Sequence, residues 1–330
     1  MIISRTPVRI SFFGGGTDYP AYFERFGGAI LGVTINKFTH VSVNGLSDFF
    51  DHKIRIGYSK TELVKQVGEI QHPSIRESLK FMGIETNLDI HIFSDLPART
   101  GLGSSSSFTV GFLNALYALK GMRVTKQKLA EQACFVEQKL IGENVGCQDQ
   151  FHAAFGGLNV IEFKSGSIQV RPVVITPEKM RWLQKHLMVF YTGLTRHASE
   201  IVKEQIDKTV NRSNDESLHR MGQMVYEAED VIAHASQEEM GKTLGELLHR
   251  GWELKKGLSS QISNSAIDQA YEKALAAGAY GGKLCGAGSG GFLALLVDPS
   301  RQSQVKQALN LLQVDFQFEN TGSTIIYMKE

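Results

Sequence analysis

The stretch LPARTGLGSSSSFTVGFLNAL, from Leu96 to Leu116, combines a glycine pair, four serines and an apolar run. Gly101 and Gly103 allow backbone N–H groups to converge on one point. The apolar residues that follow recur at helical spacing, and a helix N-terminus adds unsatisfied N–H groups and a positive dipole end. The stretch therefore predicts an anion site for phosphate. The P-loop pattern GxxxxGK[ST] has a lysine before its hydroxyl, and this stretch has none.

The serines of this stretch have two open interpretations. Ser104 and Ser105 could cap the helix, or they could turn a hydroxyl toward phosphate or Mg²⁺. A simple glycine turn capped by serine is the alternative to a phosphate site.

Composition limits the classes of protein to consider. The chain has 330 residues, which favours two domains, and 42% hydrophobic residues, as in globular proteins. A net charge of +1 gives no electrostatic footprint for nucleic acid or an anionic membrane. The three cysteines have no metal-ligand spacing, and we find no signal peptide or membrane span. We expect a cytoplasmic protein.

Strands and helices are mixed along the chain. The segments 61–70 and 73–83 read as short helices, and strand-like runs surround them. Around residue 175 the pattern changes, and from residue 198 to about 259 it is almost continuously helical. We expect an α+β fold in two lobes, with domains at 1–175 and 176–330 and with glycine loops of both lobes meeting at a cleft.

A second glycine loop, GAGSGG, spans residues 286–291. It matches GxGxxG, which indicates dinucleotide binding only when a helix follows. Here FLALLVD follows and reads as a strand, so the dinucleotide interpretation fails. A tight hairpin is the alternative to a ligand-binding loop.

A third glycine segment, FFGGGTDYP, spans residues 12–20. Its glycines would let the backbone approach a ligand, with the carboxylate of Asp18 beside them. Alternatively, Asp18 caps a helix that begins near Pro20.

Glu137 and Asp149 form a pair of acids on either side of Gly142 and Gly146. On one straight helix they would point about 120° apart, so they converge only if the chain turns back at the glycines. One could then hold Mg²⁺ while the other orients a nucleophile. Two solvated acids are the alternative, which the apolar neighbours of Asp149 make less favourable.

These pieces, in this order, resemble the superfamily of galactokinase, homoserine kinase, mevalonate kinase and phosphomevalonate kinase (GHMP kinases). LPARTGLGSSSS resembles its Pro-x3-Gly-Leu-Gly-Ser-Ser motif, RISFFGGGTDYP its first motif and KLCGAGSGG its third. VEQKLIGENVGCQDQF resembles the segment that carries the metal-binding and catalytic acids of galactokinases. The resemblance implies a two-lobed α+β fold with the ATP and substrate sites in the cleft between the lobes.

The resemblance also implies roles for residues. ATP would bind at Gly101, Leu102, Gly103, Ser104, Ser105 and Ser106. Mg²⁺, held by Ser105 and Glu137, would supply the charge that a lysine gives elsewhere. Asp149 would be the catalytic aspartate that accepts or orients the proton of the attacking hydroxyl, and Arg9 would keep it ionised and help stabilise charge during transfer.

The substrate motif departs from that of galactokinases, which carry Glu-His where this chain has Gly15 and Gly16. GGGTDYP together with YTGLTRHAS (191–199) resembles the mannoheptose-7-phosphate 1-kinases and the kinase part of fucokinases, which phosphorylate an anomeric hydroxyl. The expected substrate-binding residues are Gly15, Gly16, Thr17, Asp18, Arg196, Gly286 and Gly288.

Arg196 is the candidate for a distal phosphate of the substrate, because arginine bonds two phosphate oxygens. A solvated arginine is the alternative for this residue. Arg99 and Lys283 are further candidates, although each adjoins a glycine loop and could serve ATP.

The expected function is an ATP- and Mg²⁺-dependent kinase that makes a sugar 1-phosphate, with D-glycero-D-manno-heptose 7-phosphate as its leading substrate. L-fucose or a related sugar is the alternative substrate, and a catalytically silent sensor of sugar and ATP is the alternative class. Intact Asp149, Glu137 and Arg9 argue against a sensor. We expect a sugar or sugar-phosphate ligand and neither nucleic acid nor membrane as a partner.

Overall fold

The protein, seen in a computed structural model, is described over residues 1–85, 87–97, 100–194 and 198–329. Its strands form two sheets. Eight strands make the first sheet: β1 (Ile2–Phe13), β2 (Gly28–Gly45), β3 (Ile54–Gly57), β4 (Thr61–Val64), β5 (Leu88–Ser94), β6 (Leu158–Lys164), β7 (Ser167–Pro172) and β12 (Thr324–Met328). Four make the second: β8 (Leu187–Tyr191), β9 (Ala279–Leu284), β10 (Phe292–Val297) and β11 (Leu312–Gln313).

The long strand β2 organises the first sheet, whose main order is β12-β1-β2-β5-β3-β4. Residues 39–45 of β2 pair with β5, whereas residues 28–33 pair with β6, which in turn pairs with β7. Only β3 and β5 run parallel among the described pairs. The second sheet is antiparallel in the order β11-β8-β10-β9.

Helices cover both sheets. They are α1 (Pro20–Phe26), α2 (Pro73–Met82), α3 (Ser104–Leu119), α4 (Lys126–Phe135), α5 (Gln148–Phe155), α6 (Pro177–His186), α7 (Ala198–Val210), α8 (Asp215–His234), α9 (Gln237–Gly257), α10 (Ser265–Ala276) and α11 (Gln302–Leu309). A 3₁₀ turn lies at Val67–Glu69, and a π-helical segment, Val136–Ile141, continues α4. No helix in the described ranges is long and apolar enough to cross a bilayer.

Three apolar cores hold these layers together. The first lies between the first sheet and α2 to α5, and the third lies between the second sheet and α10 and α11. The second core joins the two sheets, because Ile10 of β1 and Val33 of β2 share it with Val225 of α8 and Phe292 of β10. This shared core fixes the lobes on either side of one cleft.

The predicted α+β class with two lobes is confirmed. The helix predicted at 61–70 is wrong, because Thr61–Val64 pairs with β3 instead. Glu62 is buried there and accepts hydrogen bonds from the Tyr58 hydroxyl (2.8 Å) and from the backbone of Gln71 (2.6 Å). Strand pairing and these bonds outweigh local helix propensity. The domain boundary at 175/176 stays a prediction. Strand β12 follows that boundary in the chain, yet it pairs with β1 in the first sheet.

Candidate active site

A cavity of about 470 Å³ lies between the lobes. All three glycine segments of the sequence reach it, with Gly15 and Gly16 from the first, Gly101 and Gly103 from the second, and the 286–288 loop from the third. The 142–146 loop and residues of α7 and α9 complete its lining. The predicted meeting of glycine loops at a cleft is confirmed.

The phosphate-loop candidate, residues 101–106, begins with two glycines in the left-handed region, Gly101 (φ 85°) and Gly103 (φ 78°). Helix α3 starts directly after them, and its first backbone bond of the i to i−4 type runs from Ser107 N to Gly103 O (2.9 Å). The N–H groups that precede this bond are the donors that a helix leaves unsatisfied. The cavity lining includes Ser104 and Ser105, so these donors can meet an anion there.

Leu102 contributes to the loop through its backbone. Its side chain is buried in the core that joins the lobes, and its carbonyl accepts a hydrogen bond from Arg9 N (3.0 Å). A ligand can therefore meet Leu102 only at the main chain.

Asp149 and Arg9 form an ion pair at the end of the phosphate loop. The carboxylate lies in the first turn of α5, and its Oδ1 accepts from Arg9 Nε (2.8 Å) and lies 2.5 Å from Nη2. Arg9 Nη1 donates to the Gly101 carbonyl (2.8 Å), which ties the pair to the loop. A Cβ added to Gly103 would lie 3.0 Å from Asp149 Oδ2. The second carboxylate oxygen therefore lies against Gly103 of the loop.

Glu137 lies beneath the loop and is almost completely buried. Its Oε2 accepts from the Ser106 hydroxyl (2.9 Å) and from Gln150 Nε2 (2.5 Å). Oε1 has no partner of normal hydrogen-bond geometry among the described residues, although the Thr109 hydroxyl interacts with the carboxylate and lowers its pKa. Burial raises the pKa of Glu137 to about 7, against the lowering effect of its hydrogen bonds. Because Gln150 belongs to α5, the chain does turn back between the two acids.

The hydroxyl that donates to Glu137 belongs to Ser106, whereas the resemblance implies Ser105 as the Mg²⁺ ligand next to Glu137. Ser105 is exposed at the cavity. The described residues contain no cluster of three or more His, Cys, Asp or Glu side chains that could hold a metal. The carboxylate of Glu137, whose Oε1 is buried, and the hydroxyl of Ser106 are ligand types that fit Mg²⁺. This ion takes one or two protein carboxylates together with substrate phosphates.

Asp18 is buried at the other side of the cavity. Its carboxylate accepts from Gly16 N (3.1 Å) and from Gln148 Nε2 (3.0 Å), and burial raises its pKa. Asp18 does not cap α1, whose N-cap is Tyr19 without a side-chain bond. Thr17 lies outside the cavity lining and donates to the carbonyls of Gly14 (2.8 Å) and Ala29 (2.9 Å). Thr17 therefore stabilises the turn. Asp18, Gly15 and Gly16 line the cavity.

The third glycine loop closes the cavity against the second. A Cβ at Gly286 would overlap Gly101, and one at Gly288 would lie 2.7 Å from the backbone of Ile262. Strand β10 follows this loop, as the sequence predicted. Close backbone approach therefore explains the glycines.

Two lysines that line the cavity were not assigned a firm role from the sequence. Lys255 of α9 and Lys283 of β9 are 6% and 5% exposed. Lys283 was a secondary candidate, and Lys255 was missed because it lies in a polar helix without any motif. Arg196 and Arg99 lie outside the described residues.

Comparisons with known proteins agree with this geometry. The GHMP kinases N terminal domain matches residues 45–157, and the GHMP kinases C terminal domain matches residues 232–312. A D-glycero-alpha-D-manno-heptose 7-phosphate kinase from Campylobacter jejuni is 29% identical over 338 residues, which cover 97% of each chain. A mevalonate kinase from Pyrococcus horikoshii is 31% identical over 72% of this chain and 66% of its own.

Solved structures share the fold. A D-glycero-D-manno-heptose 1-phosphate kinase from Bacteroides thetaiotaomicron superposes with a TM-score of 0.79 at 23% identity, over 100% of both chains. Galactokinase from Lactococcus lactis superposes with a TM-score of 0.71 at 20% identity, over 98% of this chain and 94% of its own.

The fold and the matched domains define a phosphotransferase that uses an alcohol group as acceptor. The chain belongs to the GHMP kinase family, whose members use ATP as the phosphoryl donor.

Proposed function

We propose that the chain is an ATP- and Mg²⁺-dependent sugar kinase that converts D-glycero-D-manno-heptose 7-phosphate to the 1,7-bisphosphate. One observation carries the chemistry: Arg9 holds Asp149 beside Gly103, at the end of the phosphate loop. The Campylobacter jejuni relative, aligned over 97% of both chains, supports the substrate.

ATP would place its phosphates on residues 101–106. The left-handed glycines and the start of α3 at the cavity would supply backbone N–H donors to an anion, and this arrangement needs no side-chain cation. Ser104 and Ser105 line the cavity, and their hydroxyls would add contacts to the same phosphates.

Ser106 and Glu137 are the side chains that would hold Mg²⁺. When bound there, the cation neutralises charge on the ATP phosphates, as a lysine does in P-loop proteins. The buried Oε1 of Glu137, which has no partner of normal hydrogen-bond geometry among the described residues, supports this assignment, because a bound cation would satisfy it. Neither Ser106 nor Glu137 is part of the cavity lining itself.

Asp149 is the proposed acceptor of the proton from the anomeric hydroxyl. That oxygen forms the new bond to the γ-phosphorus, while the bond between this phosphorus and the β-phosphate oxygen breaks and ADP leaves. Arg9 keeps Asp149 in position, since its guanidinium also bonds the Gly101 carbonyl. Phosphoryl transfer depends mainly on such positioning and electrostatic stabilisation.

The sugar would bind against Gly15 and Gly16, with Asp18 and the 286–288 loop around it. The two glycines leave space where galactokinases carry larger side chains, and Asp18 offers carboxylate oxygens to sugar hydroxyls. Arg196 remains the sequence-based candidate for the distal phosphate.

L-fucose is the second candidate substrate. A bifunctional fucokinase/GDP-fucose pyrophosphorylase from Arabidopsis thaliana is 24% identical over 92% of this chain, which spans 30% of that longer protein. A sensor without catalysis is the alternative class.

Incubation with labelled ATP, Mg²⁺ and a panel of acceptors tests the proposal. The panel contains heptose 7-phosphate, the unphosphorylated heptose, L-fucose, galactose and mevalonate, and ³¹P NMR locates the new phosphate. We expect fastest turnover with heptose 7-phosphate and a phosphate on the anomeric carbon. Fastest turnover with L-fucose would make L-fucose the substrate instead of the heptose phosphate. Ligand binding without any turnover would favour the sensor.

A further inference from the structure

Lys255 and Lys283 are the buried cations that the proposed chemistry leaves unused. Each lies on the C-terminal part of the chain, and both line the cavity. Arg9, in contrast, is already paired with Asp149.

Backbone carbonyls hold both ammonium groups in place. Lys283 Nζ donates to the Phe12 carbonyl (3.1 Å) and would lie 3.9 Å from a Cβ at Gly15, which puts it against the first glycine segment. Lys255 Nζ donates to the Gly286 carbonyl. The pair therefore lies between the first and third glycine segments, where the proposed function places the substrate.

Neither lysine has a carboxylate within ion-pair distance (4.0 Å) in the described part of the chain. Asp18 attracts both from farther away and Asp149 attracts Lys255, whereas Arg9 repels both. The oxygens of Asp18 also accept bonds from Gly16 and Gln148. An ammonium group has three donors, and one donor of each lysine is used by a carbonyl. Donors therefore remain for a ligand at two neighbouring groups.

The energetics of burial point to an anionic ligand. Burial lowers the pKa of Lys255 to about 8, and burial together with repulsion from Lys255 lowers that of Lys283 to about 7. Burial therefore disfavours the charged form of both lysines, and a bound anion would restore it. A phosphate monoester carries a charge of about −1.5 to −2 at neutral pH and offers three acceptor oxygens.

We propose that Lys255 and Lys283 together bind the phosphate that the sugar substrate already carries, and so select a sugar phosphate over the free sugar. This inference rests on the proposed function. The transferred phosphoryl group has its own partners in the phosphate loop, Arg9 and the proposed Mg²⁺ site, whereas the lysines flank the substrate glycines.

The test uses Lys255→Met and Lys283→Met, which keep a flexible chain of similar length and remove the charge. Lys256→Met is the matched control, because Lys256 is the next residue of α9 but pairs with Glu253 (2.8 Å) instead of lining the cavity. Calorimetry with heptose 7-phosphate, the free heptose and ATP gives Kd values, and steady-state kinetics give kcat and KM. Thermal unfolding checks that each variant is folded.

Each cavity variant should weaken binding of heptose 7-phosphate on the order of 10- to 100-fold, the range for charge-assisted hydrogen bonds. Affinity for the free heptose and for ATP should change far less, so the preference for the phosphorylated sugar should shrink. Lys256→Met should behave as the wild type. If Lys283→Met does not fold, Lys255→Met and its control carry the test.

Three results would overturn the inference. Equal losses of affinity for both sugars would assign the lysines to the transferred phosphoryl group or to the stability of the fold. A selective loss of ATP affinity would assign them to ATP binding. A wild type that prefers the free sugar would also exclude a phosphate site, although the kinase activity would stand. Failure of the proposed function has a different signature, namely no turnover of either heptose by the wild type.

Discussion

The two sides of the cleft differ in how their charges are compensated. On the side of residues 101–106, Asp149 pairs with Arg9, and Glu137 accepts bonds from Ser106 and Gln150. On the side of the first and third glycine segments, Lys255 and Lys283 have only carbonyl partners at hydrogen-bond distance within the described ranges. We call these the phosphate-loop side and the lysine side.

This difference separates chemistry from recognition. Groups on the phosphate-loop side hold one another in position before any ligand arrives, which is the preorganisation that phosphoryl transfer requires. On the lysine side, Asp18 attracts both lysines only from beyond ion-pair distance, and the proposed phosphate would compensate their charge directly. Variants on the two sides should therefore fail in different ways.

Asp149→Asn should have the largest effect. Because asparagine cannot accept the proton, kcat should fall about 10²- to 10⁴-fold, the range for general acid–base groups, while ATP binding is retained. Steady-state kinetics and calorimetry measure the two quantities. Near-normal kcat would remove Asp149 from the mechanism.

Gly103→Val should rank second and act on ATP. Residue 103 has a left-handed backbone and lies against Asp149, so a side chain there would strain the loop and crowd the phosphates. We expect ATP affinity to fall on the order of 10-fold or more, as for loss of a charge-assisted hydrogen bond.

Gly121→Val is its matched control, since Gly121 is also left-handed (φ 65°) but has open space around it. It should lose stability without losing ATP affinity. Normal ATP binding by folded Gly103→Val would mean that the loop is only a turn.

Glu137→Gln should raise the Mg²⁺ concentration needed for half-maximal activity, because a hard cation prefers carboxylate oxygen over amide. Affinity for the sugar should change less. Glu131→Gln, an exposed acid on α4, is the control. A Mg²⁺ titration that Glu137→Gln leaves unchanged would contradict the assignment.

The smallest effect on activity is expected at His152, where the change concerns stability. The ring is fully buried without hydrogen-bond partners among the described residues, and burial lowers its pKa to about 3. Below its unfolded pKa of about 6.5 the unfolded chain binds a proton that the folded chain excludes, so stability falls as pH falls. Between pH 7 and pH 5 this contributes about 2 kcal/mol.

His152→Met should remove that contribution, and His219→Met, at an exposed site on α8, should not. Urea unfolding at pH 7 and pH 5 measures the difference. Equal pH dependence in His152→Met and the wild type would show that His152 does not titrate as described.

Local signals made the phosphate-loop side predictable. Glycines before an apolar helical pattern specify a turn and a helix start, so the turn and helix within residues 101–119 could be predicted from the sequence. The roles of Glu137 and Asp149 came from the resemblance to GHMP kinases and stay predictions. The choice between Ser105 and Ser106 could not be made, because four consecutive serines leave the direction of each side chain open by about 100° per residue. Only packing of α3 against Glu137 decides it.

The lysine side could be predicted only in part. Lys255 and Lys256 are neighbours in a polar helix, and nothing local tells which of them faces a cavity. That distinction arises when α9 packs beside β9. Similarly, the helix predicted at 61–70 failed because pairing with β3 is a tertiary contact.

The central claim is that the phosphate-loop side carries out the chemistry and the lysine side recognises the substrate phosphate. The ratio of kcat/KM for heptose 7-phosphate to kcat/KM for the free heptose tests this claim most directly. It should be measured in the wild type, Asp149→Asn and Lys283→Met. The account predicts that Asp149→Asn lowers kcat/KM for both sugars by the same factor and leaves the ratio unchanged. Lys283→Met should lower the ratio. A ratio that falls in Asp149→Asn, or that stays constant in Lys283→Met, would contradict it.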